Sequence, residues 1–217
     1  KSDLEKLELI AGISAQDVVR AEQNEDIAEV LSTMPKWNNN GRAMLPLKEN
    51  WSQQLDELKD FYKNSGYGMF AKFVAFTWRN EAFVPITAID PITLGDLKNY
   101  ELQRQKVVDN TTAFINGLPA NNVLLYGDRG TGKSSTVHAI LNEYKSKGLR
   151  MIEISKGDIN DLTMIREKIA DSPMKFIIFI DDLSFDNHDD SFGELKAALE
   201  GSLSGRQNNT LIYATSN

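Results

Sequence analysis

Eight consecutive residues, 127–134, have the types and the spacing of a loop that binds phosphate. They read GDRGTGKS and fill every fixed position of the GxxxxGK[ST] motif. Glycines allow the tight turns that point successive backbone N–H groups at an anion, and the N-terminus of a following helix adds positive potential. In this motif Lys133 reaches the β and γ phosphates, and the Ser134 hydroxyl holds Mg²⁺. The predicted phosphate-binding residues are Gly127, Asp128, Arg129, Gly130, Thr131, Gly132, Lys133, Ser134 and Ser135.

A chance glycine-rich turn is the alternative to a phosphate site, and the flanking residues argue against it. The four residues before the loop, VLLY at 123–126, suit a buried strand, and residues 133–147 suit a helix. A strand before the loop and a helix after it are the context that the motif requires.

Two adjacent acids, Asp181 and Asp182, follow the apolar run FIIFI at 176–180. Such a run predicts a fully buried strand that delivers a carboxylate beside the phosphate loop, the pattern known as Walker B. We expect Asp181 to orient the Mg²⁺ shell and Asp182 to act as a base or to position water. A solvated strand end is the alternative, but the run lies one strand after a complete phosphate loop.

The segment LIYATSN at 211–217 predicts another buried strand, which ends in small polar residues. An amide at its tip could hydrogen-bond the γ-phosphate or the attacking water. Asn217 is therefore a candidate catalytic residue beside Lys133 and Asp182. A simple turn asparagine is the alternative.

Other polar side chains are weaker candidates. His138 follows the phosphate loop on its helix and is expected to pack or to face solvent. The loop 184–191, with Asp186, His188, Asp189 and Asp190, could gather a cation but is expected to be solvated. Arg206 could reach a neighbouring subunit's nucleotide.

Strands and helices alternate along the C-terminal part of the chain. The predicted strands are 123–126, 149–155, 175–181 and 210–215, and the predicted helices are 100–116, 133–147, 158–171 and 191–202. This alternation predicts an α/β fold with a mainly parallel sheet, flanked by helices that form right-handed crossovers. Ligands then bind at the carboxyl ends of the strands.

Residues 1–89 are predicted to form a smaller α+β region ahead of a domain at 90–217. Helical spacing covers 1–34, with a capping box at 14–17, and a loop at 35–46 precedes a helix at 51–63. Aromatic and β-branched residues on both sides of 79–81 predict a β-hairpin. A hairpin is marginal alone and needs neighbouring elements to cover one face.

Composition restricts the classes of function. With 24 basic and 31 acidic residues the net charge is -7, so no global basic field draws the protein to nucleic acid or to anionic membrane. Cysteine is absent, which excludes disulfides and thiolate metal sites. The sequence has neither an apolar run long enough for a bilayer nor a signal peptide at its start, so we expect a cytoplasmic location. The chain starts at Lys1 and stops after an apolar strand, and we expect a fragment of a longer protein.

The phosphate loop, one intervening strand, the Walker B strand and a strand ending in Asn217 together resemble the AAA+ ATPases. A subgroup of these with DnaA-like initiators also carries two aspartates after Walker B. More narrowly, the segments NNVLLYGDRGTGKSS, KFIIFIDDLSF and LIYATSN look like the bacterial AAA+ family catalogued as domain of unknown function 815. The similarity extends from about residue 67 to residue 217.

The resemblance implies an AAA+ P-loop NTPase fold with ATP and Mg²⁺ as cofactors, and Asn217 as the residue called sensor 1. It also implies an adenine pocket at 96–100, with Leu97 and Tyr100. Most AAA+ proteins have Glu where this chain has Asp182, so a shorter side chain must reach the water or another acid such as Asp186 must help. The usual fifth strand, arginine finger and helical lid are expected after Asn217.

Three functions fit these features. The first is Mg²⁺-dependent ATP hydrolysis. The second is a nucleotide-gated assembly or loader-type module with little hydrolysis, which acts as a homo-oligomer or through a protein partner. The acidic charge argues against strong direct DNA binding. The third is a P-loop small-molecule kinase, for which no acceptor site is apparent. No NKxD motif for guanine is present.

Overall fold

A computed structural model describes residues 2–11, 49–183 and 209–217. The chain divides into two compact units, Lys1–Phe61 and Tyr62–Asn217. Several predicted features lie outside the described residues: the capping box at 14–17, the loop 35–46, the helix 191–202, and the side chains of Asp186, His188, Asp189, Asp190 and Arg206.

The first unit contains helix α1 (Ser2–Ala11), a short 3₁₀ helix (Trp51–Gln53) and the start of helix α2 (Leu55–Ser65). The helix predicted at 51–63 is thus present as two pieces. The carboxylate of Glu8 accepts hydrogen bonds from the backbone N–H groups of Asn50 at 2.6 Å and Trp51 at 3.0 Å. Glu8 therefore satisfies free donors at the start of the 3₁₀ helix.

Within the described residues the second unit is built on a six-stranded sheet, which confirms the predicted α/β fold class. The strands are β1 (Ala75–Arg79), β2 (Ala82–Pro85), β3 (Val123–Tyr126), β4 (Leu149–Ile154), β5 (Lys175–Ile180) and β6 (Thr210–Ser216). Their order is β2-β1-β4-β5-β6-β3. Every neighbouring pair is parallel except β1 with β2.

The predicted hairpin is formed by β1 and β2. Its two turn residues, Asn80 and Glu81, have φ values of 50° and 57°, the left-handed conformation of a two-residue turn whose twist matches that of the strands. Sequence analysis grouped the hairpin with residues 1–89. In the structure β1 pairs in parallel with β4, so that Ala75 lies opposite Met151, and the main sheet supplies the support that an isolated hairpin lacks.

Helices cover both faces of the sheet. They are α3 (Met69–Lys72), α4 (Glu101–Ile115), α5 (Lys133–Tyr144) and α6 (Leu162–Ile169), with 3₁₀ segments at Lys145–Lys147 and Lys156–Asp161. Since successive side chains of a strand point to opposite faces, Ile178 packs with Ile165 of α6, while Ile177 and Phe179 pack in the cluster that contains Val137 of α5.

Strand β3 was predicted to be buried, and the structure corrects this for one of its faces. Val123 and Leu125 pack against the α4 and α5 side, but Leu124 is 52% and Tyr126 is 82% exposed. The reason is position, because among the described strands β3 is the last of the sheet and pairs with β6 alone.

A buried arginine fixes the segment before the hairpin to the sheet. Arg150 of β4 is 3% exposed and donates hydrogen bonds to the carbonyl groups of Ser65, Phe70, Lys145 and Leu149. Burial lowers the pKa of Arg150 to about 10, so the guanidinium is still protonated at neutral pH. The four carbonyl groups supply the hydrogen bonds that a buried charge requires.

Candidate functional site

The carboxyl ends of β3, β5 and β6 meet at one edge of the sheet. The register pairs Tyr126 of β3 with Ser216 of β6, and Ile180 of β5 with Ala214 of β6. The residues that follow these strands therefore surround a single cleft, with a volume of about 300 Å³. The residues that line it are Arg129, Gly130, Thr131, Gly132, Lys133, Ser134, Ser135, Asp181, Asp182, Thr215 and Asn217.

A buried hydroxyl network fixes β6 relative to α4. The Tyr213 hydroxyl lies 2.7 Å from the Thr111 hydroxyl and accepts a hydrogen bond from the Asn110 amide at 3.2 Å. Burial raises the pKa of Tyr213. Because Tyr213 lies two and four residues before Thr215 and Asn217, its contacts help to set where these side chains enter the cleft.

The loop 127–132 has the backbone expected of a phosphate cradle. Gly130 and Gly132 have φ values of 79° and 81°, a conformation that costs glycine little and other residues more. Helix α5 begins directly afterwards, and no described side chain caps its first turn. The N–H groups of that turn remain available to an anion. The Thr131 hydroxyl closes the loop by donating to the Asp128 carbonyl at 2.8 Å.

The ammonium group of Lys133 has three hydrogen bonds. Its Nζ donates to the carbonyl groups of Gly127 at 2.7 Å and Asp128 at 2.9 Å, and to Oδ1 of Asn217 at 3.0 Å. A lysine has three donors, so this set uses all of them. Lys133 thus lies between its own loop and the tip of β6.

The Ser134 hydroxyl joins the phosphate loop to the end of β5. Its Oγ donates to Oδ1 of Asp181 at 2.7 Å. Oδ1 of Asp181 accepts a second hydrogen bond, from Oγ1 of Thr215 at 2.5 Å. No sequence motif pointed to Thr215. It lies two residues before Asn217, hence on the same face of the strand, and that spacing is the signal that could have found it.

The second acid contacts the strand-tip amide. Nδ2 of Asn217 donates to Oδ1 of Asp182 at 2.6 Å, while Oδ1 of Asn217 accepts from Lys133. Asn217 therefore bridges the two other residues predicted to be catalytic. Asp182 has a φ of 53°, a left-handed conformation in which aspartate and asparagine are enriched.

The predicted adenine-pocket residues, Leu97 and Tyr100, lie outside the lining of the cleft. The Leu97 side chain lies beside the loop, 3.8 Å from where a β-carbon on Gly132 would stand. Tyr100 is 54% exposed. Neither is among the residues that line the cleft, and their part in adenine binding stays a prediction.

His138 is not among the residues that line the cleft. Its ring contacts Phe179 edge-on, with the centroids 5.7 Å apart. Its Nε2 lies 3.4 Å from a carboxylate oxygen of Glu153, which raises the pKa of His138. His138 is thus a packing residue with an acidic neighbour, as expected from the sequence.

The cleft offers oxygen donors that suit Mg²⁺ when it arrives with phosphate. The Ser134 hydroxyl and the Asp181 carboxylate are hard oxygen ligands, and Mg²⁺ typically uses one or two such groups together with substrate phosphates and water. Within 2–11, 49–183 and 209–217, no group of three or more His, Cys, Asp or Glu could hold a metal ion. The Ser134 hydroxyl and the Asp181 carboxylate fit an Mg²⁺ ion that substrate phosphates and water also coordinate.

No helix in the described ranges has both the length and the apolar character needed to span a bilayer.

Sequence comparison finds a family and two curated relatives. Residues 71–217 match the family described as "Protein of unknown function (DUF815)". The replication factor C large subunit of Nanoarchaeum equitans is 30% identical over 82 residues, 38% of this chain and 18% of that protein. The corresponding subunit of Sulfurisphaera tokodaii is 27% identical over 116 residues, 51% of this chain and 26% of that protein. The chain thus spans a minor part of the length of these relatives.

The solved structures with a similar fold include the following three, each of which is less than 25% identical to this chain. AMPPCP-bound DnaA from Aquifex aeolicus is 22% identical, with a TM-score of 0.43, over 61% of this chain and 44% of that chain. PCH-2 from C. elegans is 19% identical, with a TM-score of 0.43, over 56% and 39%. DnaI is 19% identical, with a TM-score of 0.41, over 66% and 76%.

Proposed function

The chain belongs to the DUF815 family, and we propose that it binds ATP with Mg²⁺ at the cleft beside the phosphate loop and hydrolyses the nucleotide. The observation that carries the proposal is the 2.7 Å hydrogen bond between Ser134 and Asp181. This bond joins the end of the phosphate-loop motif to the first acid after the buried strand β5. It brings together the two groups that hold Mg²⁺ in P-loop NTPases.

Most residues of the cleft have a role in this proposal. The N–H groups of 130–134 bind phosphate oxygens, and Lys133 exchanges its contacts with its own loop for contacts with the β and γ phosphates. Ser134 and Asp181 hold Mg²⁺, which when bound neutralises charge that develops on the transferred phosphoryl group. Asp182 orients the attacking water, and Asn217 donates its amide hydrogen to the γ-phosphate or to that water.

The size of the cleft supports binding of the phosphate end of a nucleotide. A volume of about 300 Å³ lies at the small end of the range for sites that enclose a whole ligand. The polar lining suits a triphosphate, whereas the base would lie outside the cleft. Leu97, which already borders Gly132, is the nearest of the predicted adenine-pocket residues.

Calorimetric titration of this chain with ATP and with GTP tests the proposal. We expect one ATP site per chain, tighter than any GTP site, and an affinity that falls about tenfold or more when EDTA replaces Mg²⁺, equivalent to a loss of about 1.4 kcal/mol. Equal binding of ATP and GTP would contradict selectivity for adenine. Absence of binding by either nucleotide would contradict the proposed site.

A second function, nucleotide-gated assembly with little hydrolysis, is favoured by two hydrogen bonds of the Asn217 side chain. Asn217 engages both Lys133 and Asp182, so one amide side chain links the two groups proposed to act in hydrolysis. A nucleotide that separates them could change the surface offered to a second copy or to a protein partner. The two curated relatives are also named as subunits.

Mass in solution separates this second function from a simple monomeric ATPase. We expect sedimentation velocity to show a larger species when a non-hydrolysable ATP analogue and Mg²⁺ are added, but not when ADP is added. The reason is that only the analogue carries a γ-phosphate, which is able to displace Asn217 from Lys133 and from Asp182. An unchanged sedimentation coefficient at saturating analogue would exclude self-assembly gated by nucleotide.

A further inference from the structure

Thr215 is a buried polar residue of β6, next to the end of β5, where Asp181 and Asp182 follow the strand. It lies near the end of β6, is 2% exposed and lines the cleft. A buried hydroxyl requires partners, and the partners of Thr215 are both on the segment that carries the acids.

The direction of these hydrogen bonds is fixed. The backbone N–H of Asp182 donates to Oγ1 of Thr215 at 2.9 Å, so Thr215 is the acceptor there. A hydroxyl has a single proton, and that of Thr215 goes to Oδ1 of Asp181 at 2.5 Å. One side chain therefore holds the carboxylate of the first acid and the backbone of the second.

The Asp181 carboxylate is consequently held from two sides. Oδ1 accepts from Thr215 and from Ser134, whereas Oδ2 has no hydrogen bond from the described part of the chain. Two donors on one oxygen fix the rotation of the carboxylate. The second oxygen then remains for a metal ion or for water bound to it.

We propose that Thr215 is a positioning residue for the nucleotide-bound Mg²⁺, acting by holding the Asp181 carboxylate in the orientation that the metal requires. The inference rests on the proposed function, because it presupposes that ATP brings Mg²⁺ to this cleft. Residues that orient a metal ligand in this way typically alter metal affinity about 10- to 100-fold when they are replaced.

Replacing Thr215 with valine removes the hydroxyl and keeps the shape of the side chain. The Leu183 N–H still donates to the backbone carbonyl of residue 215, a 2.7 Å bond in the native chain, so the local backbone retains that link. Thr215→Ser keeps the hydroxyl and is the rescue variant. Ser216→Ala is the matched control, since that hydroxyl donates to the Leu183 carbonyl and Ser216 does not line the cleft.

The experiment titrates each of these proteins with a non-hydrolysable ATP analogue, once with Mg²⁺ and once with EDTA. In Thr215→Val we expect the enhancement of binding by Mg²⁺ to fall about tenfold or more, while binding in EDTA changes by less than about threefold. Thr215→Ser and Ser216→Ala should keep the native enhancement. If Thr215→Val fails to fold by circular dichroism, Thr215→Ala takes its place, because it leaves room for water at the Asp182 N–H.

The outcomes separate this role from the proposed function. A purely structural hydroxyl would lower the melting temperature of Thr215→Val and leave the Mg²⁺ enhancement intact, which would overturn the role of Thr215 alone. An equal loss in Ser216→Ala would also overturn it. A native chain that binds the analogue equally with Mg²⁺ and with EDTA, or does not bind it, would overturn both proposals.

Discussion

Replacing Lys133 with alanine is expected to weaken binding of ATP with Mg²⁺ about 100-fold or more, measured by calorimetric titration. Each charge-assisted hydrogen bond to phosphate contributes about 1.5–3 kcal/mol, so the loss of two corresponds to about 3 kcal/mol or more, or about 100-fold in affinity. Among the residues that line the cleft, Arg129 is the other cation, and it lies on the exposed part of the loop. It cannot replace an ammonium group that is already directed at the loop and at Asn217.

Two further variants isolate the charge of Lys133. Lys133→Met keeps most of the apolar stem, so the same loss in both variants assigns the effect to the ammonium group. Lys106→Ala removes a lysine that is exposed on α4 and does not line the cleft, and it should bind like the native chain. The partners that Lys133 leaves behind are partly exposed, so we expect the free energy of unfolding to change by about 1 kcal/mol. ATP binding within about threefold of native in Lys133→Ala would contradict the role of the lysine.

The phosphate loop and the acids could be predicted because their signals are local. Eight neighbouring residues define the loop motif, and the two acids follow five consecutive apolar residues of β5, 176–180. The rule that parallel strands present ligand-binding residues at their carboxyl ends was then enough to predict that these acids lie beside Lys133. The hydrogen bond between Ser134 and Asp181 shows that the first acid lies at the loop, because Ser134 is next to Lys133 in the motif.

Contacts that depend on strand order could not be predicted. The spacing from Asn217 places Thr215 on the same face of β6, but its contact with Asp181 also requires that β6 lie beside β5 in register, which the residues near Thr215 do not encode. The same holds for the bond between Lys133 and Asn217, which are 84 positions apart. The exposure of Tyr126 follows from the edge position of β3, and the hairpin joins the sheet through a pairing with β4 that no local pattern encodes.

The backbone at Asp182 accounts for one departure from the family pattern. The resemblance to AAA+ proteins implies a glutamate at this position, whereas the chain has an aspartate with a φ of 53°. Most residues with a β-carbon avoid this conformation, and aspartate and asparagine tolerate it because their short side chains can hydrogen-bond locally. The turn also brings the shorter side chain to Asn217, at 2.6 Å. Backbone geometry therefore favours aspartate here.

This geometry makes Asp182→Asn the informative substitution for turnover. Asparagine is as compatible as aspartate with the left-handed backbone, and its Oδ1 can still accept the hydrogen bond from Asn217. Only the negative charge is lost. We expect ATP binding to stay within about threefold of native, while the steady-state rate of phosphate release falls about 100-fold or more, as is typical when a general base is removed.

The neighbouring acid supplies the contrast that decides between a base and a metal ligand. Asp181→Asn should weaken binding that depends on Mg²⁺, because Asp181 bonds to Ser134 at the loop, whereas Asp182→Asn should leave that binding intact. Asp171→Asn, a change at an exposed acid beyond α6, should alter neither binding nor turnover. If Asp182→Asn released phosphate at the native rate, the water would have to be oriented by another group, and Asn217 would be the remaining candidate at the cleft. If it lost Mg²⁺-dependent binding as Asp181→Asn does, both acids would be metal-positioning groups, and the division of roles along the end of β5 would be wrong.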